Sequence, residues 1–507
     1  MCTIGPSACA TAGGGHDEGT TDDDTASPTD DDTNDDVDDD SAVGDYAMCN
    51  CTENAQYFDC YDAATQNWSG VATGAEVLSA LGVQFEAGKD LAIHFKYKAT
   101  AGTNYNPPVF AVRAGKNFTP FFFPGCNGSG ESDLTAYIPA GSTVDQLSFE
   151  LSHGDWCAGV HLDSIQVVSH TGPIPGQGAS LLSWPNRGFT LTAYWHDNGY
   201  ELPKMHYFLN ESWSALSNTV AVLNTWYQEN ALSNEIFLDA DRTPPRDSVG
   251  AMLDLIHSYG LTAALFLYVD SVDGTWRGQF TPTDREAWFA SLQTYLTDYA
   301  EFAETHNVEI LSLGAEYSTM TGQPGDLARW QAIVAAVREV FTGQVIYAAT
   351  QDNVLTLDHA YWNLFDALTL TFWADLSVEG ETCPDVATLV ARWSDPTWQN
   401  WHDSLETLRA AIGKDLFFQE IGYPSRESCA WHPWDWLSTL PYNGQCQANA
   451  YEAFFQVWGN DPHVQGAIFW QMEASKGFGV GDTSYNPIGK PAWNEVLHYF
   501  RGDTVSR

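Results

Sequence analysis

Eight short apolar runs recur between residues 188 and 471, separated by stretches whose apolar residues fall at helical spacing. The runs are Gly188–Trp195, Thr219–Thr225, Thr262–Val269, Glu309–Gly314, Gln344–Ala349, Ala367–Trp373, Leu416–Ile421 and Gly466–Gln471. Between them, Asp284–Glu304 and Leu327–Phe341 place apolar residues three and four apart, the signature of an amphipathic helix. Asp284 and Asp326 stand where helix N-caps belong. Eight strand–helix units predict an α/β fold, a (β/α)8 TIM barrel over residues 185–500. An open doubly wound sheet would need a glycine-rich phosphate loop after its first strand, and none follows Gly188–Trp195.

The residues before the barrel read differently. Residues 1–45 carry 14 of the 66 acidic residues and no Lys or Arg, which predicts a disordered Asp/Thr-rich tether. Its Asp runs lack the alternating spacing of a calcium loop. Residues 46–170 contain short β-rich segments such as Leu91–Tyr97, Val109–Val112, Gln146–Leu151 and Ile165–Val168. These predict an all-β sandwich preceding the barrel. Its aromatics, among them Phe118, Phe121, Phe122, Phe123 and Trp156, suit a carbohydrate-binding module or a sandwich that packs on the barrel. Residues 171–184, rich in Pro and Gly at their start, form the linker.

A formal net charge of −45 excludes nucleic acid as a partner, since phosphate binding needs clustered Lys and Arg. The ten cysteines have no zinc spacing and point to disulfides in an oxidising compartment. Cys2 followed by a polar tail matches the start of a mature lipoprotein, so a lipid anchor and a secreted or cell-surface location are expected. No cofactor or metal is expected. Neither a Gly-x-Ser-x-Gly elbow nor His-Glu-x-x-His is present, which argues against a serine hydrolase and a zinc protease.

Active sites of such barrels lie where the strands end. The fourth run exits through Gly314-Ala315-Glu316-Tyr317, and the seventh through Gln419-Glu420-Ile421-Gly422-Tyr423. A carboxylate leaving an apolar strand is costly unless solvated or paired. Two of them suit glycoside hydrolysis, in which one acid protonates the leaving oxygen and one carboxylate attacks or activates water.

Beyond this pair, the barrel resembles the β-mannanases of glycoside hydrolase family 113. The matching stretches are Thr192–Asp197, Thr225–Gln228, Val269–Gly278 (VDSVDGTWRG), Gly314–Glu316, Trp330 with Val337-Arg338, Tyr347–Ala349, Glu420–Tyr423 and Phe469-Trp470. The resemblance implies a retaining hydrolase of β-linked polysaccharide, endo-β-1,4-mannanase-like, with Glu316 as acid/base and Glu420 as nucleophile. The alternatives are another β-glycanase, on glucan or galactan, and a surface glycan-binding protein without turnover. For retention the two carboxyls should lie about 5–5.5 Å apart, with Glu316 held protonated by its negative neighbour and partial burial. Trp470 would form the floor under the sugar. Trp195, His196, Trp226 and Trp276 would shape the cleft, with Arg277 as a polar partner. Tyr317, Trp373 and Tyr423, beside the strand exits, complete the expected substrate contacts. The chain departs from this group in having Ala315 where Asn usually precedes the acid/base. It also has Phe372-Trp373 where a Tyr usually reaches the nucleophile. Both departures bear on the bound sugar more than on hydrolysis.

Overall fold

The computed structural model describes residues 61–62, 67–101, 109–115, 117–122, 128–138, 141–153, 157–169, 179–194, 199–201 and 203–502. The expected tether with Cys2 lies outside them, as does most of the linker. The chain divides into two compact units, residues 1–174 and 175–507.

In the first unit, strands β1 (Tyr61–Asp62), β2 (Asn67–Thr73), β3 (Asp90–Ala101), β4 (Val109–Ala114), β5 (Asn117–Phe122), β6 (Gly128–Tyr137), β7 (Leu147–His153) and β8 (Cys157–Ser169) form two antiparallel sheets. Their orders are β1-β2-β7-β4-β5 and β6-β3-β8. Alternate residues of both sheets, including Ile93, Phe95, Phe110, Val112, Phe149, Leu151, Ile165 and Val167, share one core. Among the described residues of this unit, one α-helix, α1 (Gly74–Leu81), stands between the strands and buries Val77, Leu78 and Leu81. Thr73 and Glu76 close its first turn as a capping box. At eight residues it is too short to show a helical period against strand-rich surroundings.

In the second unit, β9 (Asn186–Thr192), β10 (Thr219–Gln228), β11 (Thr262–Ser271), β12 (Ile310–Ala315), β13 (Gln344–Thr350), β14 (Leu368–Phe372), β15 (Leu416–Ile421) and β16 (Val464–Glu473) pair in parallel. They close into a barrel in sequence order, β16 returning to β9. Among the described residues ten helices follow or interleave: α2 (Pro203–Ser214), α3 (Arg246–Ser258), α4 (Arg285–Thr305), α5 (Asp326–Val340), α6 (Gln351–Val354), α7 (His359–Trp362), α8 (Val386–Trp393), α9 (Trp401–Ile412), α10 (Gly444–Trp458) and α11 (Pro491–Arg501). Each barrel strand is covered on both faces, which is why the sequence shows continuous apolar runs instead of alternation. Along β10, Val220 and Val222 pack outward with the helices, while Ala221 and Leu223 fill the barrel interior.

Asp284 caps α4 as expected, accepting from the Ala287 amide at 3.0 Å. Asp326 does not cap α5. Gly325, in a left-handed conformation, holds that place, and the buried Asp326 instead pairs with Arg285 at 2.7 Å and Arg329 at 3.1 Å. Cys383 and Cys446 form a disulfide, and Cys429 is buried as a free thiol. Among the described residues no helix is long and apolar enough to cross a membrane.

Candidate active site

Both strand-exit glutamates follow an irregularity in strand pairing. The β12–β13 register shifts between Ser312 and Ala315, and Gly314 takes φ +130°. A Cβ on Gly314 would lie 2.3 Å from the Tyr317 ring, so only glycine allows this bend. Glu316 then adopts φ 64°, a left-handed conformation that costs a non-glycine residue about 1–3 kcal/mol. On β15 the register with β16 shifts between Phe418 and Ile421. Regular pleating would send Gln419 inward and Glu420 outward. The bulge re-aims the backbone, and both side chains engage the interior network.

Glu316, 9% exposed, is held by three elements. Thr371 of β14 donates its hydroxyl to Oε1 at 2.8 Å, and the Trp276 indole N–H donates to Oε2 at 2.8 Å. Arg277 Nη1 stands 4.0 Å from Oε2. Trp276 is 47% exposed and lies flat over Gly278, where a Cβ would come within 2.4 Å of the ring.

Glu420 is buried. Its Oε1 accepts from the Tyr268 hydroxyl of β11, and its Oε2 accepts from the Trp373 indole N–H at 3.0 Å. Gln419 donates its amide to the Tyr268 oxygen at 2.9 Å, and its own carbonyl accepts from Ser312 at 2.8 Å. The hydroxyl proton of Tyr268 is thereby directed at Glu420. Burial and the negative charge of Glu316 push the Glu420 carboxyl up to about 7, against the pull of Arg277, Tyr268 and Trp373. Two carboxyls that repel in one site titrate as a pair, so one proton is retained between them to about pH 7.

Arg277 supplies the counter-charge. It donates to Asp270 Oδ1 from Nε at 3.0 Å and Nη2 at 2.7 Å, and its guanidinium lies 4.4 Å above the Tyr268 ring. Burial alone would lower Arg277, but Asp270 and the two glutamates hold it well above its ordinary value. Asp273, its neighbour in sequence, caps the turn before Trp276 by accepting from the Thr275 amide at 2.9 Å.

The structure thus joins Trp276 and Arg277 to Glu316 and Trp373 to Glu420, and Arg277 over the Tyr268 ring links the two groups. Trp470 lies partly buried against the barrel interior, at the cis Trp470–Gln471 peptide. Trp195 and His196 lie outside the described residues. Three expected cleft residues are elsewhere. Trp226 faces the helices, stacked on Tyr295 with ring centroids 4.6 Å apart, because its strand parity points outward. Tyr317 is fully buried between Phe280, Trp288, Trp330 and Tyr347, its hydroxyl accepting from the Val269 amide at 2.9 Å. Tyr423 is buried against Tyr451 behind β15. Tyr268, Thr371, Gln419 and Ser312 were missed. They are polar groups inside strands, where sequence shows only an apolar run, and the polar positions within runs three, four, six and seven were the available signal. Tyr194, partly buried against the interior, is a further neighbour: burial and then Asp270 hold its hydroxyl well above the ordinary value.

The family model for Glycoside Hydrolase Family 113 matches residues 194–490. Solved structures similar to the chain include the GH113 β-mannanase of Alicyclobacillus acidocaldarius, at 23% identity and TM-score 0.55, over 64% of this chain and 99% of that one. A second GH113 β-1,4-mannanase structure matches at 22% identity and TM-score 0.53, over 62% of this chain and 98% of that one. At such identities the likeness shows the fold. No curated protein matches the chain.

Proposed function

Because this chain belongs to Glycoside Hydrolase Family 113 and is a glycoside hydrolase, we propose that it cleaves a β-linked mannan-type polysaccharide with retention of configuration. Glu420 is the nucleophile and Glu316 the acid/base. The observation that carries these roles is the unequal clamping of the two carboxyls. Both oxygens of Glu420 take neutral donors from Tyr268 and Trp373, a setting that fixes its direction of attack. Glu316 is tied to the half-exposed Trp276, at the side open to solvent, where a leaving group departs and water arrives.

In the first step a Glu420 oxygen bonds to the anomeric carbon while the glycosidic C–O bond breaks. Glu316 gives its proton to the departing oxygen. In the second, Glu316 takes a proton from water, whose oxygen displaces Glu420 and restores the carboxylate. As negative charge moves off Glu420 and onto Glu316, Arg277 faces both carboxyls and keeps the total balanced. The mannan reading is supported by the family and by the β-mannanase activity of the similar structures. An exported location is part of the same proposal, supported by the polymeric nature of the substrate.

The test is product release from β-mannan, glucomannan, β-glucan and β-galactan, with azide added to Glu316→Ala and Glu420→Ala. A retaining enzyme gives a β-glycosyl azide from the first variant and an α-glycosyl azide from the second. Inverted product from the native enzyme, or binding without turnover on every glycan, would overturn the reading.

A further inference from the structure

The segment after β15, residues 422–443, carries large apolar side chains in water. Trp434 is 53% exposed and Trp436 is 68% exposed. The Trp431, His432 and Trp434 rings stack in succession, with centroids 4.3 and 5.0 Å apart. Lys476, from the segment after β16, holds its ammonium 5.8 Å from the Trp436 ring centroid.

These indoles are not what holds the segment in place. Its backbone is laced to the segment after β14: the Ser428 amide donates to the Thr382 carbonyl at 2.6 Å, and the His432 amide to Asp375 at 2.5 Å. Arg426, 2% exposed, donates to the carbonyls of His432 at 3.2 Å and Asp435 at 3.4 Å. The Cys383–Cys446 bridge ties the far end of the segment to the same neighbour. A support built from polar bonds leaves both indoles more than half exposed although His432 stacks on one and Lys476 lies over the other, and exposed rings on a tethered backbone mark a binding surface.

The segment follows β15, the strand that carries Glu420, and buried contacts tie it to the reacting centre. Trp373, which donates to Glu420, has its ring 5.5 Å from that of Tyr485, and the Tyr485 hydroxyl donates to the Pro433 carbonyl at 2.6 Å. Pro433 directly precedes Trp434. Three contacts therefore link the nucleophile to the exposed rings. A flat ring suits the apolar C–H face of a pyranose, and Asp435 and Lys476 beside it suit the hydroxyl rim. A chain of net charge −45 favours a neutral ligand there.

From this placement we propose that Trp434 and Trp436 form a distal subsite that grips the polysaccharide away from the cleavage point. The inference rests on the reading of the site as a polysaccharide hydrolase. Long chains then bind across both places, while short ones reach only the glutamates.

The experiment compares kcat/KM on mannohexaose with that on an aryl β-mannobioside, for the native enzyme and for Trp434→Ala/Trp436→Ala. The hexaose-to-bioside ratio should fall about tenfold or more in the double variant, about 1.4 kcal/mol per tenfold, mainly through KM. Trp434→Phe/Trp436→Phe should recover most of it. An unchanged ratio overturns the subsite. If the native enzyme turns over no glycan, the hydrolase reading fails separately. Fluorescence titration with mannan, glucomannan, β-glucan and β-galactan then decides: saturable binding lost in the double variant upholds the subsite, and no binding overturns it. A native dimer that the double variant converts to monomer would make this face an interface between copies and also overturn it.

Discussion

The Tyr268 hydroxyl on the third barrel strand donates to Glu420 on the seventh, and it is oriented by Gln419, whose own carbonyl is fixed by Ser312 of the fourth. A hydrogen bond to a charged group contributes about 1.5–3 kcal/mol. Tyr268→Phe removes the donor that favours ionised Glu420, so the proton of the pair moves toward the nucleophile. The kcat should fall about ten- to hundredfold, with the acid limb of its pH profile moved to higher pH. Equal pH limbs in both proteins would show that Tyr268 serves packing alone.

Activity should decline as pH rises through about 7, where the pair loses its last proton and the acid for the leaving group disappears. A pH profile of kcat on mannan that stays flat to pH 9 would contradict this.

The same carboxyl affects stability. Glu420 is raised from 4.5 to about 7 in the folded protein, so between those values the folded state binds more protons than the unfolded one. Stability is therefore full below about 4.5 and is lost as pH rises through about 7. Glu420→Gln removes this penalty. The Tm of the variant relative to the native protein should increase from pH 4 to pH 8, as read by calorimetry at both.

Arg277 and Asp270 form a partly buried pair, 13% and 28% exposed at their side chains. Arg277→Met leaves Asp270 uncompensated and should cost about 2 kcal/mol or more. Restoring neutrality with Asp270→Asn should recover stability but not turnover, since the charge beside both glutamates stays lost. Recovery of both would reduce Arg277 to a structural role.

The Cys383–Cys446 bridge spans 63 residues, for which chain entropy gives about 4 kcal/mol. Cys383→Ser/Cys446→Ser should lower Tm and loosen the segments after β14 and β15 first. Hydrogen exchange at residues 424–443 measures this, and protection equal to the native protein's would refute it.

All eight barrel strands were readable because burial on two faces writes itself as an apolar run. That same feature hides direction. In a continuous run nothing separates inward Tyr268 from outward Trp226, so the aromatic nearest a strand end was assigned to the cleft, and the hydroxyl inside a strand was overlooked. Glu316 and Glu420 could be singled out because a carboxylate closing an apolar strand is costly unless solvated or paired. Their immediate neighbours could not be, since the backbone turn that aims Glu316 into the cleft sends Tyr317 behind the sheet. The bulges at Ser312–Ala315 and Phe418–Ile421 decide both cases, and bulges leave little trace in sequence beyond Gly314.

The left-handed backbone at Glu316 sets the direction in which this protein would decay. Asparagine and glycine tolerate that conformation far better than glutamate does. Replacement by either residue would thus relax the backbone and, with Glu316 as the proposed acid/base, remove the proton donor, so that at this one position stability and turnover pull in opposite directions.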